Sequence, residues 1–87
     1  MDQITVLVVD DHTVAREGVR TILETDPQIK VVGEAVDGRE ALERVAELHP
    51  RVVLTDIRMP GLDGLEITRR IKANYPETEV IILTSYD

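Results

Sequence analysis

The sequence predicts an α/β fold, a doubly wound parallel sheet with helices on both faces. Three observations predict it. Short apolar runs rich in β-branched residues recur along the chain, at Ile4–Val9, Ile29–Ala35, residues 51–55 (RVVLT) and residues 80–84 (VIILT). Stretches with helical spacing of apolar residues separate them. The resulting order, β-α-β-α-β-α-β, implies right-handed crossovers and a parallel sheet covered on both sides.

The first run, ITVLVV, is almost continuously apolar, as suits a strand buried on both faces. Residues 14–24 follow with two adjacent rows, Val14, Gly18 and Ile22 beside Ala15, Val19 and Leu23, which together predict one core-facing stripe. Asp26-Pro27 stops that helix. The second run, IKVVGEA, carries Lys30, Gly33 and Glu34 and so predicts an edge strand. Asp37 with Glu40 three residues on is a capping-box signal for the second helix. Ala41, Leu42, Val45, Ala46 and Leu48 supply its apolar face, and His49-Pro50 ends it. Asp63 with Glu66 repeats the start signal. Leu65, Ile67, Thr68 and Ile71 continue the third helix to Tyr75-Pro76.

The 87 residues bound the chain to a single small domain, residues 1–87, of modest stability. Apolar residues at 43% and charged residues at 31% make a globular balance, and with no Phe or Trp the core falls to Val, Ile and Leu. The net charge of −7 and the absence of a basic stripe argue against nucleic-acid binding by these residues and favour cations or a basic partner. Without cysteine there is neither a disulfide framework nor a thiolate–metal site. No apolar run approaches the ~20 residues of a membrane span, and no signal peptide is evident, so a soluble, cytoplasmic protein is expected.

The stretch VLVVDDH carries the chemistry: four aliphatic residues run into Asp10, Asp11 and His12. In an open parallel sheet ligands bind at the carboxyl edge, where the strand order reverses. Asp10 and Asp11 follow the first strand, Asp56 ends the third and Thr84 ends the fourth. If the first and third strands are neighbours, as in a flavodoxin-like order, three carboxylates meet in one crevice. Each close pair costs about 1–4 kcal/mol at effective dielectrics typical near a protein surface. Arg58 is the one cation close in sequence, and a hard divalent cation offsets the charge better. Mg²⁺ accepts a few carboxylate or carbonyl oxygens together with waters and a phosphate. Asp56, held at the end of a buried strand before the turn signal Pro60-Gly61, has the placement of an aspartyl nucleophile. The Thr84 hydroxyl can donate to a phosphoryl oxygen.

Taken together, VVDDH, LTDIRMPGLDG and VIILTSYD resemble the receiver domain of two-component response regulators, over essentially the whole chain. DDHTVAREGVRTIL resembles the subfamily that carries a C-terminal helix-turn-helix DNA-binding domain. The resemblance implies a flavodoxin-like (CheY-like) sheet of order 2-1-3-4. It implies Asp56 as phosphoacceptor from a phosphohistidine on a sensor histidine kinase. It implies Asp11 as direct Mg²⁺ ligand, Asp10 as its water-mediated partner, the Arg58 backbone carbonyl as third protein ligand and Thr84 as switch hydroxyl. Arg58 and Tyr86 match positions that tune dephosphorylation. The function so implied is a regulatory phosphoacceptor rather than an enzyme with an external substrate, serving transcription regulation through a DNA-binding domain not present here.

A full receiver continues with a helix, a fifth strand carrying a lysine at its end, and a last helix, whereas this sequence stops at Asp87. The resemblance therefore reads the chain as truncated after the fourth strand. It predicts that residues 80–83 form an exposed apolar edge, with self-association by strand pairing or domain exchange.

Plainer readings stand beside these. Asp10 and Asp11 could simply cap the first helix, and Thr84 could be an ordinary strand residue. His12 reads as a loop residue beside the site, since Mg²⁺ prefers oxygen. His49 reads as an exposed helix terminus, and Arg69-Arg70 as a solvated face. The competing functions are an interaction module without phosphorylation and an aspartyl phosphohydrolase. The latter needs a carboxylate two residues after the nucleophile, where this chain has Arg58.

Overall fold

The computed structural model describes residues 2–57 and 63–83. Its elements follow the expected alternation: β1 (Ile4–Val9), α1 (Thr13–Leu23), β2 (Ile29–Ala35), α2 (Gly38–Leu48), β3 (Val52–Asp56), α3 (Gly64–Asn74) and β4 (Glu79–Leu83). The strands form one parallel sheet of order β2-β1-β3-β4. The chain winds outward in one direction from β1 to β2 and in the other from β3 to β4, so the switch point lies between β1 and β3.

The strand ends are set by local chemistry. β1 is buried from Val6 to Val9, as an inner strand's apolar run requires. β2 lies at an edge and carries an irregularity opposite Val6 and Leu7, where the register jumps from Val31 to Gly33. Buried Thr78 donates its hydroxyl to the Pro50 carbonyl at 3.0 Å, which ties the entry of β4 to that of β3.

Both predicted caps form. The Asp37 carboxylate accepts the Glu40 N–H at 2.8 Å, and Glu40 reaches back to the Val36 N–H at 2.9 Å. The Asp63 carboxylate accepts the Glu66 N–H at 2.9 Å. Each satisfies a donor otherwise orphaned at the helix start. Glu66 then turns to Arg69 and Arg70 on the exposed face. His49 closes α2 in the left-handed conformation with φ of 45°, its ring set edge-on to Tyr75.

The core is Leu7, Val9, Ala35, Ala41, Val45, Val53, Ile67 and Ile71. It lies between the sheet and the packed pair α2 and α3, while α1 covers the other face of β1 and β2. Three expectations are corrected here. In α1 the row Val14, Gly18 and Ile22 faces solvent, with Val14 84% and Ile22 71% exposed. The helix turns Val19 and Leu23, with Arg16, toward the sheet, while Ala15, expected in the same row, is exposed as well. One helix over two strands buries a narrower stripe than two rows provide. Leu65 in α3 is exposed, because Ile67 and Ile71 already fill the contact with α2. In α2, Ala46 and Leu48 are likewise exposed, beyond the face that Ala41 and Val45 bury.

Candidate functional site

Asp10 leaves β1 with its N–H bonded to the Ala35 carbonyl at 3.0 Å, so the end of β2 fixes where the first loop begins. The Asp10 carboxylate then accepts the His12 N–H at 2.8 Å, an Asx turn across Asp11. His12 is the N-cap of α1 and makes no side-chain capping bond, and the first turn of α1 contains no acid. Neither Asp10 nor Asp11 caps the helix, and the plainer reading of the pair falls away.

β1 and β3 are hydrogen-bonded neighbours, with Val9 opposite Thr55, so Asp56 ends its strand beside the Asp10 turn. One ligand atom from each of Asp10, Asp11, His12 and Asp56 lies within 4.8 Å of the others. The three carboxylates therefore converge as the strand order requires. Arg58 and Thr84, and with them Tyr86, lie outside the described residues.

His12 is the group that sequence reasoning undervalued. Its Nδ1 lies 3.0 Å from Asp11 Oδ1 and 3.2 Å from Asp10 Oδ1. The hydrogen bond to Asp10, then the charge of Asp11, with Asp56 adding, raises the imidazole pKa above its ordinary 6.5. A protonated His12 thus offsets part of the crowded charge. The signal was its adjacency to the acid pair; which way the ring turns depends on the loop.

The second undervalued feature is an ion-pair chain behind the loop. Arg16 donates from Nη1 to the Asp10 carbonyl and from Nε to Glu34 Oε1, both at 2.9 Å. Glu34 Oε2 in turn accepts Arg20 Nη1 at 2.5 Å, and Arg20 Nε meets Glu24 at 3.1 Å. Burial pushes the Glu34 carboxyl up, but Arg20 and Arg16 together pull it further, to below its ordinary value. Helical side chains lean toward the helix N-terminus, so a residue in the first turn can reach back over the loop. Its partner on β2 is visible only once the strand order is known.

The donor set fits Mg²⁺. Oxygens at about 2.1 Å from an octahedral ion sit at most ~4.2 Å apart, and the 4.8 Å within which the ligand atoms of this cluster lie includes the His12 ring nitrogen beside the three carboxylates. Carboxylates are the hard ligands this ion takes, and the imidazole is not.

Residues 6–87 match the family described as response regulator receiver domain. The chain belongs to the response regulator receiver family. Among curated relatives it is 40% identical over 86 residues to the transcriptional regulatory protein DegU of Brevibacillus brevis, covering 99% of this chain and 36% of that protein. It is 43% identical over 83 residues to the transcriptional regulatory protein LiaR of Bacillus subtilis, covering 95% of this chain and 39% of the relative. This receiver chain thus spans about two fifths of the length of such relatives.

Among solved structures, the signal receiver domain of the putative response regulator NarL from Mycobacterium tuberculosis superposes with a TM-score of 0.93 at 38% identity, covering 100% of this chain and 70% of that one. The response regulator domain of Thermotoga maritima CheB gives 0.89 at 43% identity, covering 95% and 61%. The receiver fold and the order 2-1-3-4 hold in both sequence and structure. Receiver membership favours the signalling reading over a bare interaction module. Among the described residues no helix is long and apolar enough to cross a membrane.

Proposed function

We propose that this receiver takes a phosphoryl group on Asp56, with Asp10, Asp11 and Asp56 holding a Mg²⁺ ion. The observation that carries the reading is the convergence of those three carboxylates at the switch point between β1 and β3. An Asp56 carboxylate oxygen attacks the phosphorus of a phosphohistidine on a sensor histidine kinase. The P–N bond breaks, its electron pair stays on the donor imidazole, and an acyl phosphate forms on Asp56. Bound Mg²⁺ supplies offsetting charge for the phosphoryl oxygens.

The chain's own residues orient the reaction. β3 presents Asp56 at its end, and the Asx turn of Asp10 sets the acid pair facing it. The Arg58 carbonyl and Thr84 hydroxyl are proposed as the third metal ligand and the switch donor. Water attack on the acyl phosphate would reset the domain. The output is proposed as cytoplasmic transcription regulation, in keeping with relatives named transcriptional regulatory proteins, and exerted through the DNA-binding region that the sequence resemblance implies. Domain-level self-association is proposed at β4, where Ile81 and Leu83 are 49% and 44% exposed. Light scattering at tens of micromolar checks this: oligomer supports it, and a monodisperse monomer contradicts it.

The test of the phosphoacceptor is intact-mass measurement after incubation with acetyl phosphate and Mg²⁺. One phosphoryl adduct on the wild type, absent from Asp56→Ala, supports the assignment. Equal adduct on Asp56→Ala contradicts it.

A further inference from the structure

We propose that Arg16, oriented by Glu34, is a positioning residue that sets the Asp10–Asp11 pair for its metal ion. The inference rests on the Mg²⁺ reading above and adds residues to it that touch neither the ion nor the phosphoryl group.

The backbone of Asp10 is held at both of its polar groups. Its N–H donates to the Ala35 carbonyl at 3.0 Å, and its carbonyl accepts Arg16 Nη1 at 2.9 Å. The Arg16 backbone N–H meanwhile donates to the His12 carbonyl at 2.9 Å. One residue therefore grips the loop on both sides of Asp11. The guanidinium is a rigid planar fork, so the Nε–Glu34 bond fixes the direction in which Nη1 points. Glu34 is itself fixed: it sits on β2 opposite Val8, and its second oxygen is taken by Arg20. The Arg16 side chain is only 14% exposed and Glu34 26%, so solvent screens this pair less than the other ion pairs of α1.

The chain of contacts transmits position from the sheet to the loop. Multidentate metal sites need donors held within about 0.5 Å, and groups that orient ligands govern affinity without touching the ion. Charge alone would act in the opposite direction. A guanidinium near a cation site repels the cation, so its removal would tighten binding if electrostatics were its whole effect. The sign of the effect separates the two roles.

The experiment is isothermal titration of the 87-residue chain with MgCl₂, on wild type, Arg16→Lys, Arg16→Gln and Glu34→Asp, with folding checked by circular dichroism. Arg16→Lys keeps the charge and loses the fork. Glu34→Asp keeps its charge and falls short of Arg16 by one methylene. All three variants are expected to bind Mg²⁺ about tenfold or more weakly while folded, the usual penalty for losing a ligand-orienting group.

A merely structural role would lower the melting temperature and leave the affinity of the folded protein unchanged. Unchanged binding by the charge-keeping variants, or tighter binding by Arg16→Gln, overturns the proposal. Where an Arg16 variant does not fold, Glu34→Asp decides by the same criterion. Asp11→Asn serves as the control for the site itself. A wild type that shows no saturable Mg²⁺ binding overturns the metal reading and this inference with it. A wild type that binds alongside equally competent Arg16→Lys and Glu34→Asp overturns this inference alone.

Discussion

Gly64, the first residue of α3, packs directly on the backbone of Asp56. A Cβ built on Gly64 would lie 3.0 Å from the Asp56 carbonyl oxygen and 3.1 Å from the Ile57 Cα. Its N–H donates to the Ile57 carbonyl at 3.2 Å. The helix that follows the proposed phosphoacceptor is thus seated against it through bare backbone, which cannot yield as a side chain could. Gly64→Ala is expected to destabilise the domain by about 1–3 kcal/mol, the range for overpacking a tight contact. Gly33 provides the contrast. Its added Cβ would meet Leu48 Cδ1 at 2.8 Å, the end of an exposed, flexible side chain that can move. Gly33→Ala should stay within about 1 kcal/mol of wild type, since the lost unfolded-state freedom offsets the crowding. Urea denaturation of the two variants checks the difference.

His12 makes stability depend on pH when Mg²⁺ is absent. Its folded pKa is raised above 6.5 by Asp10 and Asp11. A raised pKa means that the contribution is fully present below about 6.5 and is lost as pH rises through the folded value. In chelator-treated buffer the wild type should lose melting temperature across that window relative to His12→Gln. Parallel curves for the two proteins would contradict the contact.

Asp10→Asn tests the crowding of the carboxylates. Asparagine keeps the oxygen that accepts the His12 N–H and removes one charge. Without metal, above the His12 pKa, the variant should be more stable by on the order of 1 kcal/mol, the lower end for surface-proximal pairs. Below that pKa the gain should shrink, because the imidazolium already offsets the charge. Melting curves at two pH values read both effects, and a drop in melting temperature at the higher pH would count against the geometry.

The two faces assigned to the helices are tested by one pair of truncations. Ile71 is fully buried in α3 and Ile22 is 71% exposed in α1. Ile71→Ala should cost about 2–5 kcal/mol by removing buried methylenes. Ile22→Ala should change stability by no more than about 0.5 kcal/mol. Comparable losses would place Ile22 in a core that the structure does not give it.

Much of this molecule is legible in its sequence, for identifiable reasons. β1 and β2 run over the residues expected, because β-branched runs broken by Asp, Pro and Gly leave little freedom. Asp37 and Asp63 cap the helices they were expected to cap, because capping is local chemistry. The convergence of Asp10, Asp11 and Asp56 followed from strand order alone. The burial of α1 did not, because two adjacent apolar rows mark a helix without saying how much of that stripe the sheet covers. Arg16 and Glu34 were invisible for a related reason. They are 18 residues apart on different elements, and only the pairing of β1 with β2 brings them together.

The most direct test of the account is an amide NMR titration of the chain with MgCl₂, on wild type and Asp11→Asn. The wild type should show saturable shifts concentrated at Asp10, Asp11, His12, Asp56 and Ile57, strongly weakened in the variant. Shifts that are absent there, or identical in Asp11→Asn, would contradict a magnesium site built from the three carboxylates.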